Sequence, residues 1–175
     1  MIKHMGQDRR TKKVALGGLM LALQMATLFI AGFVPGIELT IYALSSLYAA
    51  IIIIETNISG GIIFYFASAL LALLIIPNKA AILPYIFFFG IYAIIKFLIE
   101  KIGKQLIEIP LKLVFFNTSI GAGIILFESM FLGNINLPEY SRILLILGGQ
   151  VLFLLYDYLF TLLIAFYRKR FSRLR

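Results

Sequence analysis

The chain has 175 residues, 62% of them hydrophobic and 14% charged, with a mean hydropathy of +1.01. Soluble domains are nearer half apolar and a quarter charged, so a water-soluble domain is excluded and the lipid bilayer is the solvent that fits. The net charge of +8 rests on 16 Lys and Arg that stand mostly at the edges of apolar runs, where they report topology and anionic lipid and not nucleic acid; with no cysteine there is no disulfide, thiolate nucleophile or Cys-ligated metal.

A bilayer-crossing helix needs about 20 apolar residues. Six stretches approach that standard, at 14–34, 39–54, 60–76, 82–99, 111–132 and 142–167. They form one transmembrane domain over 14–167, between a basic segment at 1–13 and a basic tail at 168–175. Turn and helix-stop residues separate them: Pro35-Gly36, Asn57 with Ser59-Gly60, Pro77-Asn78, Gly103 with Pro110, and Gly133-Asn134 with Pro138. Spans two and three are short, and the isoleucine run at 51–54 has strand propensity. In hydrocarbon an open strand leaves its backbone unpaired, so helix is expected there too. The first apolar run is too long for a signal-peptide core and reads as a permanent helix. His4 is given no role. The expected fold is an all-α bundle of six transmembrane helices.

Orientation follows from the basic residues. With six spans, both termini share one side with the 2–3 and 4–5 loops. That side carries all of the 16 basic residues except Lys79 and Arg142. Both termini are therefore expected in the cytoplasm.

Catalytic signatures are missing. Gly103-Lys104 lacks the rest of a Walker A loop, a single His excludes the HExxH zinc site, and there is neither a GxSxG elbow nor a close Asp cluster for Mg²⁺. No enzyme activity, cofactor or metal is expected.

Polar side chains inside spans cost free energy unless they face the bundle interior. Tyr85, Phe89, Tyr92 and Lys96 share one helical face in span four; Asn117, Gly121, Ile124 and Glu128 do so in span five, and Gln150, Phe153, Asp157 and Thr161 in span six. Span one contributes Gln24 alone. This points to an interior site built mainly from the C-terminal half. Lys96, Asn117 and Asp157 all fall roughly 21 to 23 Å below the outer surface. Lys96 and Asp157 are then expected to pair, as a structural ion pair in preference to a proton relay. Nearer the outside, Tyr85, Tyr92, Glu128 and Gln150, with Glu38, Asn78 and Lys79 in the loops, suggest a cup for a small solute. For Tyr85 and Glu128 a place at the headgroup level is an equal alternative. In span one, Ala15, Gly18, Ala22 and Ala26 line one face with small residues, suited to close helix packing, inside the bundle or against a separate subunit.

With that small-residue face, including the run Ala22-Leu23-Gln24-Met25-Ala26, a six-span chain of this size resembles the substrate-binding S components of energy-coupling factor (ECF) transporters. The resemblance implies a bacterial multi-pass membrane protein that binds a vitamin-like solute from outside. It implies partners as well: a membrane coupling protein driven by two ABC-type ATPases, with Ala22 and Ala26 as its docking motif and Gly18 extending it. Glu38 and Glu128 favour a cationic or donor-rich ligand and Lys79 an anionic one, so the solute stays open. Two other readings stand beside it: a scaffold of cell-envelope assembly of the MreD type, and a small secondary carrier.

Overall fold

The computed structural model describes residues 2–34, 36–131 and 139–171, with side chains at 11–34, 36–79, 81–123 and 146–170. Helix is the only regular structure among the described residues. The helices are α1 (Ile2–Ala31), α2 (Glu38–Glu55), α3 (Ile58–Ile75), α4 (Lys79–Pro84), α5 (Gly90–Glu100), α6 (Gln105–Phe131) and α7 (Glu139–Phe171), with a π-helical turn at Tyr85–Phe89 joining α4 to α5. Six stretches are long and apolar enough to cross a membrane: Thr11–Ala31, Glu38–Glu55, Ile58–Ile75, Ala81–Glu100, Gln105–Gly123 and Ile146–Arg170. The isoleucine run of span two is helical, as the bilayer argument requires. Large apolar side chains point outward along these helices, among them Val14 at 70%, Ile63 at 69% and Leu74 at 78% exposure. Water would penalise such a surface and lipid does not. The chain is a helical multi-pass membrane protein.

One boundary differs from the sequence reading. Pro110 is expected in a loop before span five, yet α6 begins at Gln105 and runs through it. The first turn of α6 closes on the Lys104 carbonyl, which accepts from the Ile107 and Glu108 amides at 2.9 and 3.0 Å. Pro110 is the sixth residue of α6, so its missing N–H leaves the Leu106 carbonyl without its intrahelical donor while the helix runs on.

The chain divides into two compact units, Met1–Leu98 and Ile99–Arg175. In the first, α1, α2 and α3 pack mutually. Its core joins Leu28 and Ala31 of α1, Tyr42 of α2, Ala72 of α3, Ile76, Ile82 of α4 and Tyr85 of the π turn. Ser45, Ser46 and Ser68 are wholly buried. Ser45 and Ser46 donate back to the Tyr42 and Ala43 carbonyls at 2.7 and 2.6 Å, so their hydroxyls are satisfied while their small volume lets helices close up. At Gly61 a methyl group would stand 2.3 Å from the Ile53 Cγ1, which measures how tightly α2 and α3 meet. Thr27 and Tyr48 link α1 to α2 at 3.0 Å. Since the Thr27 hydroxyl also donates to the Leu23 carbonyl, Tyr48 is the donor in that link.

Side chains close the helix ends in this unit. Asn57 caps α3 by accepting from the Gly60 amide at 2.8 Å, and the Thr56 hydroxyl donates to the Ile52 carbonyl at the end of α2. Near hydrocarbon the open groups of a helix terminus are costly, which favours such local caps.

In the second unit α6 and α7 run antiparallel in a fixed register. Lys112 bonds Asp157 at 2.9 Å, and one turn further along each helix Phe116 stacks on Phe153 with ring centroids 4.7 Å apart. The same step brings Gly149 under Phe116, where a methyl group would lie 3.6 Å from the ring. α7 has 33 residues and extends roughly 50 Å, more than a bilayer core needs, ending on Arg168, Lys169 and Arg170, which suit the negative end of its dipole.

Candidate functional site

The most polar part of the first unit's interior gathers where α1 and α3 meet the π turn. Pro84 removes a backbone donor from the helix just before the turn. There the Gly90 amide donates to the Tyr85 carbonyl, five residues back, instead of to Ile86. The carbonyl of Ile86, deprived of that donor, accepts from the Tyr65 hydroxyl of α3 at 2.9 Å. π turns of this kind recur at functional positions because they re-aim the side chains around them. Gly90 lacks the side chain that would prevent the approach: a methyl group there would sit 2.9 Å from the Tyr85 ring and carbonyl oxygen and 3.0 Å from the Tyr65 ring.

Tyr85 is thereby held with 1% exposure, its hydroxyl 2.6 Å from the Ser68 Oγ. Ser68 also donates to the Tyr65 carbonyl at 2.9 Å. A serine has one proton and a carbonyl can only accept, so Tyr85 is the donor toward Ser68. The Gln24 side chain of α1 approaches the Tyr85 hydroxyl at 1% exposure, and neither its Nε2 nor its Oε1 completes a hydrogen bond of normal geometry. An unpaired buried amide of this kind costs about 1–3 kcal/mol per group. Aromatic rings line the neighbourhood: Phe88 stacks on Tyr92 at 5.4 Å, and Tyr42 faces Phe89 at 6.3 Å. The arrangement offers a neutral, aromatic-walled set of hydrogen-bonding groups.

The solute-site residues expected from sequence are distributed differently. Tyr85 and Tyr92 are buried in the first unit, at 1% and 0% exposure. Glu38, Asn78 and Lys79 all serve helix ends. Glu38 accepts from the Gly36 amide at 2.8 Å in the turn before α2, where Gly36 has φ +93°. Asn78 accepts from the Ala81 amide at the start of α4, and Lys79 donates to the Leu73 and Ile76 carbonyls at the end of α3. Gln150 is half-buried in α7 of the second unit. Glu128 lies in α6 with its side chain outside the described residues, and Asn134 and Asn136 lie outside them altogether.

Lys96 is buried in α5, as the interior face of span four requires. Asp157 has a partner the sequence reading missed: Lys112, 4% exposed, which bonds Asp157 at 2.9 Å and Glu100 at 2.8 Å. By sequence Lys112 counts as a topology residue at a loop edge. With α6 beginning at Gln105 it stands two turns inside the helix. Glu100 and Lys112 flanking one short connection were the available signal. Asn117 of span five differs from expectation: it is exposed, and its Nδ2 donates to the Leu113 carbonyl at 2.9 Å.

Span one separates its two faces. Ala15, Gly18, Ala22 and Ala26 are exposed, and a methyl group on Gly18 would meet no atom within 4 Å. Gln24, Leu28 and Ala31 are buried on the opposite side. Comparison of the chain with family models, curated proteins and solved structures gives no match.

Proposed function

We propose that the chain is the solute-binding membrane subunit of an uptake system of the ECF type, with both termini cytoplasmic in a bacterial membrane. Separate coupling and ATPase subunits would supply the energy, since no nucleotide motif occurs in the sequence. The observation that carries the reading is the two-faced first helix. Its small-residue stripe is left open within its own unit, while Gln24, between Ala22 and Ala26 in sequence, points into the polar interior. A helix of this build can hold a membrane partner on one side and sense a solute on the other. The small vitamin-like solute would bind among Gln24, Tyr85 and the aromatic residues around the π turn.

Ala22→Leu tests the docking face. It should weaken co-purification of the coupling protein and its two ATPases and leave melting temperature and bound solute unchanged. Unchanged co-purification, or capture of cell-wall synthesis proteins without solute, would set the reading aside in favour of the scaffold. The buried Lys112 between Glu100 and Asp157 favours a second reading, a secondary carrier that moves a proton or cation. Uptake into vesicles driven by a proton gradient, without ATP or partners, would select it.

A further inference from the structure

The hydroxyls of Tyr65, Ser68 and Tyr85 are committed to one another and to the backbone, and the Gln24 amide is not. Tyr65 donates to the Ile86 carbonyl, Ser68 to the Tyr65 carbonyl, and Tyr85 to Ser68. The proton of Tyr85 is thus committed, and its oxygen can only accept. Gln24, fully buried, approaches the Tyr85 hydroxyl, and of its two N–H donors and carbonyl acceptor none completes a hydrogen bond of normal geometry. A small turn of the amide could direct one N–H to the Tyr85 oxygen. The second N–H and Oε1 would still need an acceptor and a donor, side by side at the spacing of a primary amide.

No formal charge belongs to this group of residues. On the helical run that carries Tyr85, Lys79 precedes it by six residues and Lys96 follows it by eleven, roughly 9 and 16 Å along the axis. Lys79 is exposed and occupied with the end of α3. An ionised solute would therefore enter a low-dielectric interior with no counter-charge among these residues, which is strongly unfavourable. A neutral one would need only matching hydrogen bonds.

We propose that the Gln24 amide reads a neutral solute that presents an N–H next to a C=O, the edge shared by lactams, imides and ureas. Oε1 accepts from the solute N–H and Nε2 donates to its carbonyl, while the rings near the π turn pack on its apolar faces. The inference rests on the solute-binding reading above and narrows its substrate to neutral compounds with a paired donor and acceptor.

The test is mass spectrometry of the full-length protein purified from membranes in mild detergent, first intact and then after denaturation to identify what it releases. The wild type should release a neutral compound with such an edge. Gln24→Met, close in size but without donors or acceptors, should retain about tenfold less of it, the loss expected for two hydrogen bonds. Its melting temperature should stay level or rise, because an unpaired buried amide is gone. A released compound that is charged or lacks the edge overturns the inference, as does full retention by Gln24→Met, or an empty wild type. The identity of the wild-type compound decides the matter even where Gln24→Met fails to assemble. Co-purification of the coupling protein and ATPases is scored in the same preparation: partners present with a charged solute overturn this inference and leave the proposed function standing.

Discussion

Gly90→Ala puts the π turn to a direct test. The added methyl group would stand 2.9 Å from the Tyr85 ring, 2.9 Å from the Tyr85 carbonyl oxygen and 3.0 Å from the Tyr65 ring. Carbon contacts are normally about 3.5–4.0 Å, so each falls short by about 0.5 Å or more. The carbonyl oxygen belongs to the backbone and cannot rotate away, and the Tyr85 ring is fully buried. Overpacking of this kind costs about 1–3 kcal/mol, and three simultaneous clashes place it in the upper part of that range. Alanine recovers about 1 kcal/mol of helix propensity. The net loss is about 1–2 kcal/mol, or about 2–8 °C in melting temperature for a chain of this size. Gly17→Ala is the matched control, because a methyl group there meets nothing within 4 Å and only the propensity gain remains. Thermal unfolding of both variants in the same detergent should move the two melting temperatures in opposite directions. A Gly90→Ala protein as stable as Gly17→Ala would refute the close packing of Tyr65 and Tyr85 around the turn, and with it the reason Ile86 needs the Tyr65 hydroxyl.

Three further outcomes follow from the buried lysine and the proposed orientation. Lys112→Met should lower stability by about 3 kcal/mol, because two carboxylates lose a buried partner, and a melting temperature within 2 °C of wild type (under about 1 kcal/mol at this size) would contradict that. Glu100→Gln should do less, since Glu100 is 36% exposed and water screens it. The natural chain has no cysteine, so single-cysteine labelling has no background. A membrane-impermeant maleimide should label Pro77→Cys in intact cells, and Lys13→Cys and Lys104→Cys only after permeabilisation; the reverse pattern would invert the proposed orientation.

The spans were legible because hydrocarbon allows few answers: long apolar runs, turn residues between them and no tolerance for open strands. Asn57 and Asn78 stand where the sequence marks breaks, and both prove to be helix caps. Span five was less legible for two physical reasons. Pro110 stands six residues into α6, past the first turn where proline costs least, and the helix runs through it, so it marked no boundary. Its amide was a poor guide to facing as well. Asn117 was placed inside on the argument that a bare amide in lipid is costly, but a side chain that donates to the carbonyl four residues back carries its own satisfaction. Period and polarity alone cannot tell that Asn117 from one that reaches across the bundle. Lys112 failed in the complementary way, since a basic residue near a loop serves equally as topology signal or buried ion partner, and only the start of α6 decides.

The same reasoning explains why Gln24 is the informative polar residue of the first unit. Thr27, Ser45, Ser46, Thr56 and Ser68 each donate to a carbonyl of their own helix three or four residues back, so their presence in apolar spans asks nothing of the surroundings. Glutamine has a longer side chain and two kinds of polar atom, and in α1 neither kind turns back to the helix. Its neighbours on the opposite face, Ala22 and Ala26, are small and exposed, so nothing in their packing requires an amide across from them. Leucine or methionine would fill the interior volume at lower cost, since either removes two buried polar atoms. A residue that is costlier than its apolar equivalent, on a helix with one open face, is accounted for when something outside this chain completes its hydrogen bonds.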